Sequence, residues 1–425
     1  MKEKLAIEGG EPAIQPTDLQ PWCAISDADR AAIARVLDRN ETAGPSAPET
    51  VALQKEWATY LGMNHAILTN SGTAALHMAL ASAGVQPGDE VIVPAYSFVA
   101  SAMSIMHQNA IPVFADTEKG TFNIDPASVE AAISPRTKAL MIVHINGMPA
   151  RMQELMEIAH RNGISVVEDA CQAHGAKYTE KPVGSFGVAG AFSLNKSKNL
   201  PAGEGGLFVS NDNEITAKAG LLSTFGELPS SEIDRDYHSV SLGWMYRSTE
   251  FVAALARSRL QMLDTWNAIR RRNVERLNEL LDGIPGIRTM QSPDNTEPVY
   301  WRYAFQVVPE EIGNSLPPHL FRKALQEVLI AEGLTISQWQ KRILPAQDVF
   351  QLRQGYGEGC PWDCHSSSIE YEPSHYPNAQ EIIDRTLWLK DGIQPPNYEE
   401  TVEKIAYAVA KSMSRAEDFS HLVDL

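Results

Sequence analysis

Residues 191–212 read AFSLNKSKNLPAGEGGLFVSND, and the reading of the chain turns on them. Apolar residues run to Ser193, a loop with two lysines follows, and a Gly-rich turn leads into Leu207-Phe208-Val209. The pattern is strand, loop, strand. Ser193, Asn195, Lys196 and Lys198 share the loop, and Gly203, Gly205 and Gly206 let backbone N–H groups approach whatever lies there. A lysine on such a loop has two readings. It is a solvated surface charge, the usual state of the residue, or it is a Schiff-base lysine, which needs an aldehyde cofactor, an anion site and a carboxylate close by.

Working outward, the chain before this stretch alternates regularly. Short apolar strands are expected over 66–69, 90–94, 111–116, 140–144 and 164–168, with helices over 74–83, 97–107, 125–133 and 151–162 between and after them. Such alternation predicts an α/β fold with a mostly parallel sheet sandwiched by helices. Ligands then gather at the carboxyl ends of the strands. Residues 1–25 look irregular, and two helices, 27–40 and 49–60, precede the first strand. After the lysine loop, 249–281 reads as one long helix linking a large domain, 1–265, to a smaller α+β C-terminal domain, 266–425. The smaller domain is expected to hold a strand over 303–308, helices over 319–333 and 398–413, and a polar loop around 355–359.

The strand ends carry chemistry. Ser71-Gly72-Thr73 lies between a strand and a helix N-terminus, so it is an ordinary N-cap or an anion site built from free N–H groups and the helix dipole. Asp169 follows a buried strand, where a carboxylate is costly unless paired. It could meet a protonated heterocyclic nitrogen, a metal or a neighbouring backbone. Glu168, Asp169 and His174 make a poor metal set, because adjacent strand residues point opposite ways. Phe98 is either core or a ring that stacks on a planar ligand. Arg247 either binds an anion or pairs with an acid.

Two stretches are decoys. Residues 184–190, GSFGVAG, are not G-x-G-x-x-G and precede a strand, so they are no dinucleotide fingerprint. Cys360, Cys364 and His365 sit in one loop without the second pair of a zinc finger. No metal is expected.

Composition narrows the classes. A 425-residue chain with 44% hydrophobic and 21% charged residues is an ordinary globular protein. Its net charge of −17 argues against nucleic acid and anionic membranes. It shows neither a signal peptide nor a run near the roughly 20 apolar residues of a membrane span. Four scattered cysteines argue for a reduced, cytoplasmic protein.

Taken together, NSGTAALHMAL (70–80), GDEVIVPAYSFVAS (88–101), VEDACQAHGA (167–176), FSLNKSKNLPAGEGGLFVSND (192–212) and GWMYR (243–247) resemble the DegT/DnrJ/EryC1/StrS family of sugar aminotransferases, in the family's order. The resemblance implies the fold type I, aspartate aminotransferase-like architecture, pyridoxal 5′-phosphate as cofactor, and a homodimer with its active site at the interface. By position it makes Lys198 the Schiff-base lysine and Lys196 a bystander. It pairs Asp169 with the pyridinium nitrogen, sets Gln172 against the ring's phenolic oxygen and stacks Phe98 on the ring. It gives the phosphate to Gly72, Thr73 and Ser193, and places Asn195 in the same cofactor site, where the family commonly has His. Two departures stand out. Met245 replaces the usual Asn before Tyr-Arg, and the family's H-x-x-G-x-P-x-D-M-D appears as HINGMPARMQ (144–153) with both acids lost.

The implied reaction moves an amino group from L-glutamate or L-glutamine to a keto-sugar or keto-cyclitol. Trp22, Trp339-Gln340 and Leu344-Pro345 resemble the cyclitol and aminohydroxybenzoate branches more than nucleotide-sugar members. The competing readings are other cofactor chemistry on the same scaffold, such as elimination or aromatisation, and a non-catalytic ligand-sensing protein. Acceptor choice is expected to depend on the smaller domain and on the loop 225–239.

Overall fold

The computed structural model describes residues 3–228, 237–357 and 359–422. Residues 229–236 of the loop expected to shape the pocket lie outside the described residues.

The first strands are β1 (His65–Thr69), β2 (Glu90–Pro94), β3 (Ile111–Ala115), β4 (Thr137–Val143) and β5 (Ser165–Asp169). After a small hairpin of β6 (Lys177–Tyr178) and β7 (Lys181–Pro182) come β8 (Ala189–Ser193) and β9 (Gly206–Ser210). The central sheet has seven strands in the order β1-β9-β8-β5-β4-β2-β3. Pairs β2–β3, β2–β4, β4–β5 and β5–β8 are parallel. Strand β9 is antiparallel to both of its neighbours, because the short lysine loop lets it return directly beside β8. Strands β2, β8 and β9 are buried along their whole length, as expected of a sheet covered on both faces.

A second sheet of four antiparallel strands lies in the last third, in the order β10 (Ile287–Thr289), β12 (Tyr303–Val307), β14 (Thr386–Leu389), β13 (Ile336–Ser337). The intervening β11 (Thr296–Glu297) instead pairs with β6 of the hairpin. Helix Glu399–Met413 packs on helix Leu263–Leu281 beside this sheet.

Three features depart from the sequence reading. The single helix expected over 249–281 is two helices, Glu250–Leu260 and Leu263–Leu281, separated by Gln261 and Met262. Each has its own partner. The first packs on helices Asp27–Arg39 and Pro48–Leu61, and the second on Glu399–Met413. The N-terminal segment also travels far in space. Glu332 accepts backbone hydrogen bonds from Ala6 at 2.8 Å and Ala13 at 2.9 Å, and is paired with Lys411 at 2.9 Å. The first residues therefore pack against the C-terminal third. Cys360 and Cys364, expected as free thiols, are joined to each other; the tight turn brings their Cα atoms within 5.1 Å, inside the normal disulfide range. None of the helices among the described residues is long and apolar enough to cross a membrane.

Candidate active site

The site gathers at the carboxyl ends of β1, β2, β5 and β8. At the end of β1, Ser71 is an extended N-cap whose hydroxyl accepts from the Ala74 N–H at 3.1 Å, starting helix Gly72–Ser82. The first N–H groups of a helix have no intrahelical partner. Among the described residues nothing accepts from those of Gly72 and Thr73. Gly72 is required by space rather than by backbone angle: a Cβ there would lie 2.9 Å from both Cys171 Sγ and Ser193 Cβ. Ser193, the last residue of β8, thus stands against the same helix start. The three residues expected to hold a phosphate form one cradle.

Asp169 ends β5 and is buried. Its Oδ2 accepts from the Ser101 hydroxyl at 2.7 Å, and its Oδ1 from the Cys171 N–H at 3.1 Å. The neighbouring Glu168 points the other way, as strand geometry demands. Its Oε2 meets His144 Nε2 at 3.1 Å and accepts from Gly184 N–H at 2.6 Å, while Oε1 accepts from Phe186 and Gly187 N–H at 2.6 and 2.7 Å. The glycine-rich stretch 184–190 is therefore a backbone nest for a buried carboxylate. Glu168 and Asp169 share no ligand, and Glu168 has no lone pairs to spare for a metal.

Gln172 is buried, and its Oε1 accepts from the Asn146 N–H at 2.8 Å, leaving its amide hydrogens available. His174 is enclosed by Trp57 and Phe192, and burial, then the Lys198 charge, pushes its ring down to about 3. It is a neutral core histidine. Phe98 is 53% exposed just past the end of β2, its ring free of the core.

The loop after β8 treats its two lysines differently. Lys196 is exposed, whereas Lys198 is half-buried with its Nζ 4.6 Å from the centre of the Trp301 indole. Burial holds the Lys198 ammonium below its ordinary range, with the Cys171 and Asp169 charges opposing that shift. The loop is pinned by indoles from both sides of it in the chain: Trp22 Nε1 donates to the Lys198 carbonyl at 3.1 Å and Trp301 Nε1 to the Ser197 carbonyl at 2.6 Å. Asn195 is spent inside the loop. Its Nδ2 donates to Glu204 at 2.7 Å and its Oδ1 accepts from the Ser197 N–H at 3.0 Å. Met245, 48% exposed, offers its carbonyl to Asn70 Nδ2 at 3.2 Å, beside the cradle. Arg247 lies over the Phe225 ring at 5.7 Å.

Several contributors were not singled out for these roles from the sequence. Ser101 reaches Asp169 from helix Ala100–His107, and Trp301 and Asn146 arrive from turns whose partners are far apart in the chain. Ser101 was legible only as part of the matching stretch 88–101. Trp301, in a part of the chain that matches loosely, gave no signal.

A half-buried lysine of lowered basicity, a buried carboxylate and a cradle of helix-start N–H groups, all at the strand ends of this sheet, are the parts of a pyridoxal-phosphate enzyme of fold type I. The donor set fits that cofactor: the cradle suits its phosphate, Asp169 its ring nitrogen and Lys198 its aldehyde. The DegT/DnrJ/EryC1/StrS aminotransferase family profile matches residues 24–410, and the chain belongs to that family. It is 32% identical over 421 residues to a putative L-glutamine:3-amino-2,3-dideoxy-scyllo-inosose aminotransferase of Streptoalloteichus tenebrarius, covering 97% of this chain and 98% of that one. It is 36% identical over 323 residues to the L-glutamine:2-deoxy-scyllo-inosose aminotransferase of Streptomyces kanamyceticus, covering 73% and 75% of the two chains. The crystal structure of 3-amino-5-hydroxybenzoic acid synthase superposes with a TM-score of 0.83 at 29% identity, over 93% of this chain and 99% of that one. The protein is a pyridoxal-phosphate-dependent aminotransferase.

Proposed function

We propose that the enzyme moves the amino group of L-glutamine or L-glutamate onto the ketone of a cyclitol or sugar, with Lys198 as the catalytic base. The observation that carries this reading is Lys198 itself, half-buried, held over Trp301 and kept below its ordinary basicity by burial. The names of these two relatives support a cyclitol acceptor and glutamine as donor.

Pyridoxal phosphate, when bound, supplies a conjugated ring that draws electrons from the donor's Cα and stores the amino group between the two half-reactions. The chain's own residues do the rest. Lys198 is neutral at a lower pH than a solvated lysine, which suits it to take the Cα proton and return one later. Asp169, oriented by Ser101 and the Cys171 N–H, keeps the ring nitrogen protonated. Gln172, its Oε1 tied to Asn146, keeps its amide hydrogens for the ring oxygen. Gly72, Thr73 and Ser193 hold the phosphate, and Phe98 covers a ring face. Asn195 supports the site by closing the loop on Glu204.

The same proposal includes a homodimer in the cytoplasm. Phe225, Leu228, Val240, Leu242 and Met245 are exposed apolar side chains, Met245 beside the cradle, which fits burial against a second copy. It also keeps a cofactor-binding part, 1–265, and a smaller part, 266–425, with the first residues packing on the latter.

The test is an absorption spectrum of the protein with cofactor, before and after L-glutamine or L-glutamate. Replacement of the visible band by a near-ultraviolet band of the amino form is the expected result. A visible band that neither donor moves would sink the donor assignment, and no band at all would sink the enzyme reading.

A further inference from the structure

We propose that Trp22 and Arg270 are positioning residues for Lys198: Arg270 fixes the Trp22 indole, and the indole holds the Lys198 backbone so that the amine meets the reacting atoms. The proposal rests on the reading of Lys198 as the catalytic base and says what aims it.

A lysine amine rides on a flexible four-carbon stem, and a displacement of about 1 Å can cost on the order of 10²-fold in rate. The stem must therefore start from a fixed backbone. The Lys198 N–H donates to the Asn195 carbonyl at 2.9 Å within the loop. The Lys198 carbonyl accepts from Trp22 Nε1 at 3.1 Å, and among the described residues that is its one donor. The contact spans 176 positions of the chain, so this peptide is held by the fold and not by its own loop.

The indole is itself held by a charge that has no other partner. Arg270 is 1% exposed, and its guanidinium carbon lies 4.0 Å from the centre of the Trp22 ring. Among the described residues it makes no ion pair, and its Nε and Nη1 are buried without a hydrogen-bond partner. Burial lowers its basicity to about 9, so it stays charged at neutral pH. A guanidinium buried in this way is costly, and an apolar side chain of similar size would cost less. What the charge gains is the face of Trp22, a cation–π contact that strengthens with desolvation. Over that face it also draws electron density from the ring, which makes the N–H a better donor to the Lys198 carbonyl. At 1% exposure Arg270 does not reach a substrate; it acts through Trp22.

One helix face seats these contacts. Trp266, Arg270 and Asn273 follow one another at spacings of four and three on helix Leu263–Leu281, which puts them on one side. Trp266 meets Trp22 edge-on, with ring centres 5.0 Å apart. Asn273 Nδ2 donates to the Asn397 carbonyl at 2.9 Å. Asn397 in turn pairs with Gln20, accepting from its N–H at 2.8 Å and donating to its carbonyl at 2.9 Å. Residues 20–22 are thus strapped along the helix with the Trp22 N–H turned to the lysine loop. The same helix reaches the next residue of that loop directly, where Asn199 Nδ2 donates to Asn267 Oδ1 at 3.2 Å. The preceding carbonyl repeats the pattern, since Trp301, which holds Ser197, carries the Arg302 guanidinium 4.3 Å from its ring centre.

The test compares wild type with three variants. Trp22→Phe keeps a ring without an N–H, Arg270→Met keeps the length without the charge, and Arg270→Lys keeps a cation. Bleaching of the visible band by L-glutamine carrying hydrogen or deuterium at Cα is followed in a single turnover. Trp22→Phe and Arg270→Met are expected to slow bleaching by about 10- to 100-fold. The half-saturating glutamine concentration should stay unchanged, and the hydrogen-to-deuterium rate ratio should be no smaller than that of wild type. Arg270→Lys should recover part of the loss. A second readout needs no donor: stripped of cofactor, Trp22→Phe and Arg270→Met should form the visible band with added pyridoxal phosphate more slowly than wild type. Bleaching or band formation as fast as in wild type overturns the proposal. So does a smaller isotope ratio, a half-saturating concentration that rises enough to account for the loss, or an Arg270→Lys no better than Arg270→Met. If Trp22→Phe does not fold, the two Arg270 variants carry the same test. If L-glutamine bleaches wild type and variants alike, the positioning role fails and the aminotransferase stands. If neither L-glutamine nor L-glutamate bleaches wild type while the variants still form the band more slowly, the positioning role stands and the donor assignment fails.

Discussion

The Ser101 hydroxyl donates to Asp169 Oδ2 at 2.7 Å, joining the first turn of one helix to the end of β5. Ser101 also meets Ser97 Oγ at 2.8 Å, so the carboxylate is oriented by a short polar chain inside the fold. Ser101→Ala removes a hydrogen bond to a charged group, worth about 1.5–3 kcal/mol. The expected result is a half-reaction with L-glutamine slowed by roughly tenfold, the donor concentration for half-saturation unchanged, and the visible band shifted in its pH dependence. An unaltered pH profile would mean that Ser101 only stabilises the helix.

The cradle gives a steric prediction. A Cβ on Gly72 meets Cys171 Sγ and Ser193 Cβ at 2.9 Å, closer than such atoms tolerate. Gly72→Ala should lower stability by about 1–3 kcal/mol and weaken cofactor retention. Cys171→Ala in the same chain should recover part of the melting temperature. No recovery would show that Ser193 alone is the obstacle.

The two lysines give a sharper one. Lys198→Ala should fold, bind cofactor weakly and lose half-transamination, while Lys196→Ala, at an exposed position, should retain it. The reverse outcome would reassign the catalytic base.

A pH effect follows from His77. It bridges Tyr246 Oη and Gln108 Oε1, both at 2.9 Å, and burial pushes it from 6.5 down to about 4. Below pH 6.5 the unfolded chain takes a proton that the folded protein refuses. Stability therefore falls as pH drops from about 6.5 to 4, by up to about 3 kcal/mol from this residue. His174 acts in the same direction. His77→Gln should flatten the loss of melting temperature between pH 7 and pH 5; an unchanged slope would place the effect elsewhere.

Much of this was legible in the sequence because it is local. Short continuous apolar runs and intervening helices specify a covered parallel sheet, and the strand ends then follow from position alone. Strand position marked Asp169 and the turn at Gly72 and Thr73 as candidates, and pleating gave the opposite directions of Glu168 and Asp169; the choice of Lys198 and the roles of Gln172 and Ser193 came from the resemblance to the family. What is not local could not be read. The break at Gln261 and Met262 reflects two different packing partners, and no helix-breaking residue marks it. The pairing of β9 against β8 depends on how tightly the lysine loop closes. Trp22, Asn146, Trp301 and Arg302 join the site through contacts across the chain, which composition and periodicity do not encode. The sequence by itself determined the class of sheet and the chemistry at its strand ends. Only tertiary structure decided which lysine is turned inward over an indole, what orients Asp169 and which cation is left without an anion, because burial and pairing are properties of residues brought together from distant parts of the chain.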